Sequence, residues 1–311
     1  MPTVGVFPRS AWALVLLIGL MSGAAPVVAQ PAPPPSPAPP GKLQDRIDAA
    51  ARALRENNPR FKGTSLDYVR GLAEFVSGNM LFVLLHEMAH VSITQMGLPV
   101  LGRMEDAADT YATLRLIRSG SNFSRRVLTD AAEGWFMADR RDQKAGDKVA
   151  YYDDHGLNQQ RAYQIVCLMV GSDDQKFKDL AKETKLPEER QDSCAGDYNN
   201  ARYSWDLVLK PHRRAPDQPK TEIDVVYGPA EGRAERAKQV NRSIRLLETV
   251  AEHATTNSRG RRPSRWKCKA AATPTPAGTF RSTNSSCAMN SPWISQTSIA
   301  AMVTPEQTAG G

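Results

Sequence analysis

The chain has 311 residues, 41% of them apolar, which is enough to bury the core of one large domain or two smaller ones. This composition excludes a chain that is disordered over its whole length. The formal net charge of +7 at first favours an anionic partner such as nucleic acid. Most of this charge lies at the ends, because residues 255–311 carry seven Lys or Arg against Glu306 alone, and Arg9 adds one more. The body of the chain is therefore close to neutral, and we expect no nucleic-acid partner.

An apolar run near the N-terminus, Ala11–Met21, resembles the hydrophobic part of a cleaved secretory signal. The small residues of Val27–Ala29 fit the positions that a signal peptidase reads, which makes Gln30 the expected first residue of the mature protein. A membrane anchor is the alternative, but the run is shorter than the roughly 20 apolar residues that a membrane span requires. We therefore predict a secreted or periplasmic protein without a stable membrane span after cleavage.

Changes in composition predict the domain organisation. Pro and Ala dominate the stretch that follows the signal and favour an extended spacer. Helical periodicity stops near Thr255, where Ser, Thr, Pro, Ala and Arg take over. We predict a signal peptide over residues 1–29, a linker over residues 30–42, a folded domain over residues 43–254 and a low-complexity basic tail over residues 255–311.

The tail has two interpretations. The first is a disordered basic segment. The second is translation out of frame, because suitable codons for residues 266–279 and 284–302, read with an offset of two bases, encode peptides typical of a folded protein. Cys268 and Cys287 would then be accidental, and the chain would lack a terminal element. Sequencing of the gene across this region distinguishes the two.

The first part of the folded domain has helical periodicity. Apolar residues recur at helical spacing over Leu43–Leu54, and Asn57–Pro59 end that helix. A second helical run begins at Thr64 or Ser65, either of which has a hydroxyl that can cap it. The stretch Met80–Met96 is apolar on most sides, which predicts a buried helix that stops at Gly97.

The rest of the domain continues this pattern. The best strand candidate, Val225–Tyr227, is short. The fold class is therefore mainly α, with little or no sheet. Further helices are predicted over Met104–Ile117, Arg125–Ala138, Asn158–Val170, Asp174–Thr184 and Ala234–Glu252.

The predicted buried helix contains His86-Glu87-Met88-Ala89-His90, the pattern H-E-x-x-H. Residues four apart lie on one face of a helix, so both imidazoles can reach one ion while Glu87 can address a water bound to it, as zinc hydrolysis requires. The alternative is that both histidines are buried structural residues whose hydrogen bonds are satisfied within the protein core. The apolar run Leu81–Leu85 disfavours it, because an unpaired carboxylate is costly in such surroundings and a metal removes that cost.

A third metal ligand is expected from the acidic segment after Gly97. Glu105 and Asp109 share a helix face there, and the alanines between them allow close approach to another helix. We assign Glu105 as the third zinc ligand and Asp109 as the acceptor that fixes the tautomer of a ligating imidazole. The two roles can be exchanged or can include Asp106, and a solvated acidic helix start is the alternative.

The segment His86–Ala112, with Gly-Leu-Pro-Val-Leu-Gly-Arg before the acidic helix, resembles a bacterial family of metallopeptidases catalogued mostly as a domain of unknown function. H-E-x-x-H followed by E-x-x-x-D is similar to the gluzincin peptidases. This resemblance implies a helical core in which metal-activated water attacks a peptide carbonyl with Glu87 as general base. Met104 departs from the family, in which we expect an acidic residue. The likeness covers about Leu66–His212 through further motifs: Tyr152–His155, Gln160-Arg161, Cys167 with Gly171-Ser172, Leu186-Pro187, Arg190, Cys194 and Trp205.

Zinc enzymes of this kind also need a donor for the oxyanion. His155 is our candidate, because it lies in a polar segment beside Gly156, and Tyr151 and Tyr152 are competing donors. A surface histidine is the alternative. Arg161 is a weaker candidate, since an arginine near acidic residues is more often an ion-pair partner.

Cys167 and Cys194 have 26 residues between them. Export favours a disulfide that joins the helix after Asn158 to a loop after Arg190, and two buried free thiols are the alternative.

Together these patterns predict an exported, zinc-dependent peptidase that cleaves peptide or protein substrates. A zinc-binding or interaction module without turnover and an amidase that acts on cell-wall material are the alternatives. Substrate specificity and oligomeric state have no sequence signal.

Overall fold

The computed structural model describes residues 42–218, 223–227, 240–257, 266–270 and 286–288. The predicted signal peptide and almost all of the predicted linker lie outside these residues. The described part is mainly helical, as predicted. Its helices are α1 (Leu43–Asn57), α2 (Leu66–Met96), α3 (Met104–Ser119), α4 (Asn122–Ala145), α5 (Asn158–Ser172), α6 (Lys178–Glu183), α7 (Glu188–Leu209) and α8 (Leu246–Asn257), with short 3-10 turns at Pro59–Phe61 and Lys210–His212.

Helix α2 is the central element. Its first turn is capped by Ser65, whose hydroxyl accepts the backbone N–H of Tyr68 at 3.2 Å. It then runs through Gly78 without a break and ends at Gly97, whose φ of 63° is the left-handed conformation that closes a helix. A side chain at position 78 would lie 3.2 Å from an oxygen of Asp130, so this glycine permits the close approach of α4.

The hydrophobic core lies where α2 packs against α1, α3, α4 and α8, and where α5 packs against α3, α4 and α7. Phe82 of α2, Leu128 of α4, and Ile165 and Met169 of α5 are almost completely buried. Burial of each such side chain stabilises the fold by about 1.5–3 kcal/mol. The core therefore fixes α2, α3 and α5 relative to one another.

By length and composition alone, α2 is long and apolar enough to cross a membrane. Buried helices of soluble proteins meet the same criterion, and α2 packs against α1, α3, α4 and α8. We therefore assign α2 to the protein core.

Helix α7 was not predicted, and the expectation of a loop after Arg190 is wrong. Only Cys194 and Trp205 of this helix are buried, and the half-buried Tyr198, Ala201 and Val208 continue the same face at helical spacing, so its apolar face is present but narrow among many polar residues. This helix also packs closely on α5. A side chain at Gly171 would clash with the backbone carbonyl of Cys194, so the two helix backbones touch at this glycine.

The Cys167–Cys194 disulfide is present and joins α5 to α7, two helices rather than a helix and a loop. The two cysteines are 27 positions apart in the sequence, so the bond closes a loop of that length. On chain-entropy grounds, replacing both cysteines by alanine should lower the free energy of unfolding by roughly 3 kcal/mol. Urea unfolding of the double variant and of the oxidised wild type measures the difference. Equal midpoints and slopes would mean that the packing of α5 on α7 suffices without the bond.

Other boundaries differ modestly from the predictions. Helix α4 begins earlier, because Ser121 caps it by accepting the backbone N–H of Ser124 at 3.0 Å, and it extends to the left-handed Gly146. Helix α6 is shorter than predicted. Residues 240–244 form a helical stretch before α8, and the predicted start at Ala234 lies outside the described residues.

Three short parallel strands form a small sheet in the order β1 (Ile223–Tyr227), β2 (Trp266–Ala270) and β3 (Ser286–Ala288). Strand β1 contains the predicted Val225–Tyr227, whereas β2 and β3 lie in the tail, where no element was predicted. The other residues after position 257 lie outside the described part, and the reading frame of the tail stays a prediction.

Candidate metal centre

Helices α2 and α3 bring three side-chain donors to one point. His86 and His90 lie one turn apart on the same face of α2, and Glu105 comes from the first turn of α3. The two imidazole Nε2 atoms are 3.1 Å apart. Oε2 of Glu105 lies 3.1 Å from Nε2 of His86 and 3.2 Å from Nε2 of His90. These three residues form the one group of at least three such side chains among the described residues that could hold a metal ion.

The tautomer of His86 directs a lone pair to this point. Its Nδ1 lies 2.7 Å from Oδ1 of Asp109, to which it donates its hydrogen. In the neutral ring, Nε2 therefore carries a lone pair that faces the Glu105 carboxylate. Two electron-rich atoms 3.1 Å apart repel each other unless a proton or a metal cation lies between them.

The spacing of the donors fits zinc. Ligand bonds of about 2.0–2.1 Å in a tetrahedral arrangement put neighbouring donor atoms roughly 3.3 Å apart. The three observed separations, 3.1–3.2 Å, are close to this value. Two imidazoles and one carboxylate also leave a fourth position for water or substrate, as in catalytic zinc sites.

The electrostatics of the centre favour a cation. Burial lowers the pKa of His86, but hydrogen bonds to Asp109 and Glu105 outweigh this effect and raise it from 6.5 to about 9. Burial raises the pKa of Glu105, yet hydrogen bonds from the three surrounding histidines bring it well below its usual range. Burial also raises the pKa of Asp109, and the positive charge of Arg161 and the hydrogen bond from His86 reverse this. The ionised Glu105 carboxylate is thus itself one of the donors, and a second ionised carboxylate, Asp109, lies behind His86.

Glu87 follows His86 directly, so its side chain leaves the helix roughly 100° away from that of the imidazole. Burial raises the pKa of this carboxyl group, and the nearby charges of His86 and His90 partly oppose the effect. A carboxylate with a raised pKa at the edge of a metal site is suited to accept a proton.

His155 reaches the centre from the loop between α4 and α5. Its Nε2 lies 3.0 Å from Oε2 of Glu105, the same oxygen that contacts the other two imidazoles. Asp153 holds the ring, because its Oδ1 accepts both the backbone N–H of His155 at 2.8 Å and the ring Nδ1–H at 3.0 Å. The hydrogen bond to Glu105 raises the pKa of His155, although burial acts in the opposite direction.

The alternatives raised by the sequence lie elsewhere. The side chains of Tyr151 and Tyr152 are 84% and 92% exposed. Asp106 forms an ion pair with Arg103 at 2.9 Å instead of contacting the imidazoles.

Arg161 is more closely integrated than the sequence indicated. Its guanidinium donates from Nε to Oδ2 of Asp109 and from Nη2 to Oδ1, each at 2.7 Å. Trp135 of α4, which the sequence did not single out, lies beneath it with 3.7 Å between the guanidinium carbon and the ring centroid. In the sequence, the only indication that Arg161 lies near the centre was the position of Gln160-Arg161 shortly after the His155 segment.

Comparison with known proteins gives a family match. No curated protein and no solved structure matches the chain. Residues 44–209 match the family DUF4344, described as "Putative metallopeptidase". The match covers more than half of the chain, including α2 to α7 and every residue of the centre described above. The chain belongs to this metallopeptidase family.

Proposed function

We propose that the protein is an exported zinc peptidase in which His86, His90 and Glu105 hold the metal. The observation that carries this proposal is the mutual spacing of 3.1–3.2 Å among one carboxylate oxygen and two imidazole nitrogens. The family match independently supports a metal-dependent hydrolase. Zinc is favoured over a harder cation because two of the three donors are imidazoles.

A bound zinc ion would supply the Lewis acid that lowers the pKa of a water molecule and polarises the peptide carbonyl. The protein contributes the proton transfers. Glu87 takes the proton from the attacking water and later delivers it to the leaving amine, so its raised pKa suits both halves of the reaction. Asp109 keeps the Nδ1 hydrogen of His86 in place, which leaves Nε2 free as a ligand.

His155 is proposed to stabilise the negative charge that develops on the substrate carbonyl oxygen. With Nδ1–H bound to Asp153, the protonated ring has one further N–H, on Nε2, which faces the centre. A fixed donor at such a position contributes several kcal/mol to the transition state. The exposed side chains of Tyr151 and Tyr152 support the choice of His155 over either tyrosine.

His155→Gln should lower kcat about 10²- to 10³-fold, because it removes a charged donor to the oxyanion and leaves the three metal ligands in place. Peptide hydrolysis measures kcat, and the zinc content of the same samples shows whether the metal ligands still hold the ion. The control Tyr152→Phe removes the competing hydroxyl and should leave kcat unchanged. The assignment fails if Tyr152→Phe reduces kcat and His155→Gln does not.

Export is supported by the Cys167–Cys194 disulfide, which persists in oxidising compartments and is rare in the cytosol. The predicted signal peptide adds to this. When the full chain is expressed in a bacterium, we expect the periplasmic fraction to contain a protein that begins at Gln30, as measured by intact mass. Ala29→Tyr should block cleavage and retain the precursor. A cytosolic product that begins at Met1 in the unaltered chain would contradict export.

A further inference from the structure

A line of buried polar side chains extends behind the metal ligands. His86, Asp109 and Arg161 are only 5%, 2% and 4% exposed, and they come from α2, α3 and α5. An arginine is seldom buried to this extent unless it is fully paired, because its desolvation is costly. The proton transfers proposed above do not use Arg161, so its burial needs a separate explanation.

The contact between Arg161 and Asp109 fixes the plane of the carboxylate. Nε donates to Oδ2 and Nη2 to Oδ1, both at 2.7 Å, so the two side chains meet as a two-pronged pair. Oδ1 also accepts the Nδ1–H of His86 at 2.7 Å. Rotation of the carboxylate about its Cβ–Cγ bond would displace both oxygens and disrupt these hydrogen bonds, and a single ammonium group could not replace the fork.

Trp135 in turn restrains the guanidinium. The indole lies against its face at 3.7 Å, and this contact comes from α4, a fourth helix. Stacking on one face and the paired hydrogen bonds at the edge together leave the guanidinium a single orientation. Four helices therefore determine where the Asp109 oxygen lies.

We propose that Arg161, held on Trp135, is a positioning residue that orients Asp109 and, through it, the metal-ligating nitrogen of His86. The proposal rests on the metal centre proposed above. Such outer contacts typically change metal affinity by roughly 10- to 100-fold when they are lost. Arg161 thus acts on the metal through two other side chains and touches neither metal nor substrate.

Arg161→Lys tests this, because it keeps the positive charge and loses the fork. We expect the zinc Kd, measured by chelator competition on the full mature chain, to rise about 10- to 100-fold. The visible absorption bands of the cobalt-substituted protein should shift as well, since the ligand geometry changes. The matched control Arg140→Lys, at an exposed ion pair with Glu133, should change neither.

A double-variant cycle separates positioning from general stabilisation. Once Asp109→Asn has removed the carboxylate, Arg161→Lys should have little further effect on the zinc Kd, because the two residues act in series. Independent, additive effects would overturn the proposal, and so would an unchanged Kd and cobalt spectrum in Arg161→Lys. If the wild type binds no zinc, the proposed function fails together with the positioning role, whereas zinc binding that is insensitive to Arg161 overturns the positioning role alone.

A second pair of variants keeps the test decisive if Arg161→Lys does not fold. Trp135→Leu removes the aromatic face but leaves the ion pair, and Trp135→Phe retains a face. We expect the zinc Kd to rise several-fold in Trp135→Leu and to stay near the wild-type value in Trp135→Phe. Equal zinc affinity in the leucine variant and the wild type would overturn the proposal.

Discussion

Glu87→Gln is expected to bind zinc as the wild type does and to lose about 10²- to 10⁴-fold in kcat, the usual contribution of a general base. Glutamine has nearly the same shape as glutamate but cannot accept a proton at neutral pH. Because Glu87 is next to His86 and is not one of the three donors, the metal site itself should stay intact. Metal content by mass spectrometry and hydrolysis of a generic peptide mixture measure the two quantities separately.

The same variant separates the proposed peptidase from its competitors. If the protein is a zinc-binding module without turnover, the wild type itself would show no hydrolysis, and Glu87→Gln would change nothing. If the protein is an amidase that acts on cell-wall material, Glu87→Gln would also lose activity. The wild type would then cleave peptidoglycan fragments in preference to peptides. Glu133→Gln, at an exposed ion pair on α4, is the matched control and should retain full activity. Undiminished peptide hydrolysis by Glu87→Gln would remove Glu87 from the mechanism.

His86→Ala should have the largest effect on metal binding. The variant loses one of three donors, and the Asp109 carboxylate loses its partner in the centre. Structural zinc sites with four ligands bind with about 10–16 kcal/mol, or roughly 2.5–4 kcal/mol per ligand, so we expect zinc affinity to fall about 10²- to 10³-fold. Hydrolysis should fall with zinc occupancy, as followed by titration with buffered zinc.

The control for this variant is His212→Ala, at a histidine in the 3-10 turn after α7 and outside the cluster. It should bind zinc like the wild type. Retention of stoichiometric zinc by His86→Ala at low free zinc would show that the metal is held elsewhere.

The part of the site that the sequence predicted is the part that local geometry determines. His86 and His90 share a face because a helix repeats every 3.6 residues, and Glu105 with Asp109 follows the same rule on the next helix. A short turn joins the two helices, so their proximity required no knowledge of the distant fold. The strand at Val225–Tyr227 was predicted in the same way, from residues adjacent in the chain.

The missed features depend on contacts between distant residues. Arg161 lies 52 positions from Asp109, and nothing in its neighbourhood distinguishes a buried two-pronged pair from an exposed one. Helix α7 shows only a narrow apolar face in the sequence, and the disulfide and the glycine contact that hold it on α5 join residues distant in the chain. The strands β2 and β3 pair in parallel with distant segments, and such pairing leaves no local signature.

Crystals of the mature protein grown with zinc would test the metal centre most directly, through anomalous difference maps from data collected above and below the zinc absorption edge. We predict one peak present only above the edge, about 2.0–2.2 Å from Nε2 of His86, Nε2 of His90 and a carboxylate oxygen of Glu105. A map without a peak at this position, or a zinc ion bound there without Glu105, would contradict the proposed centre.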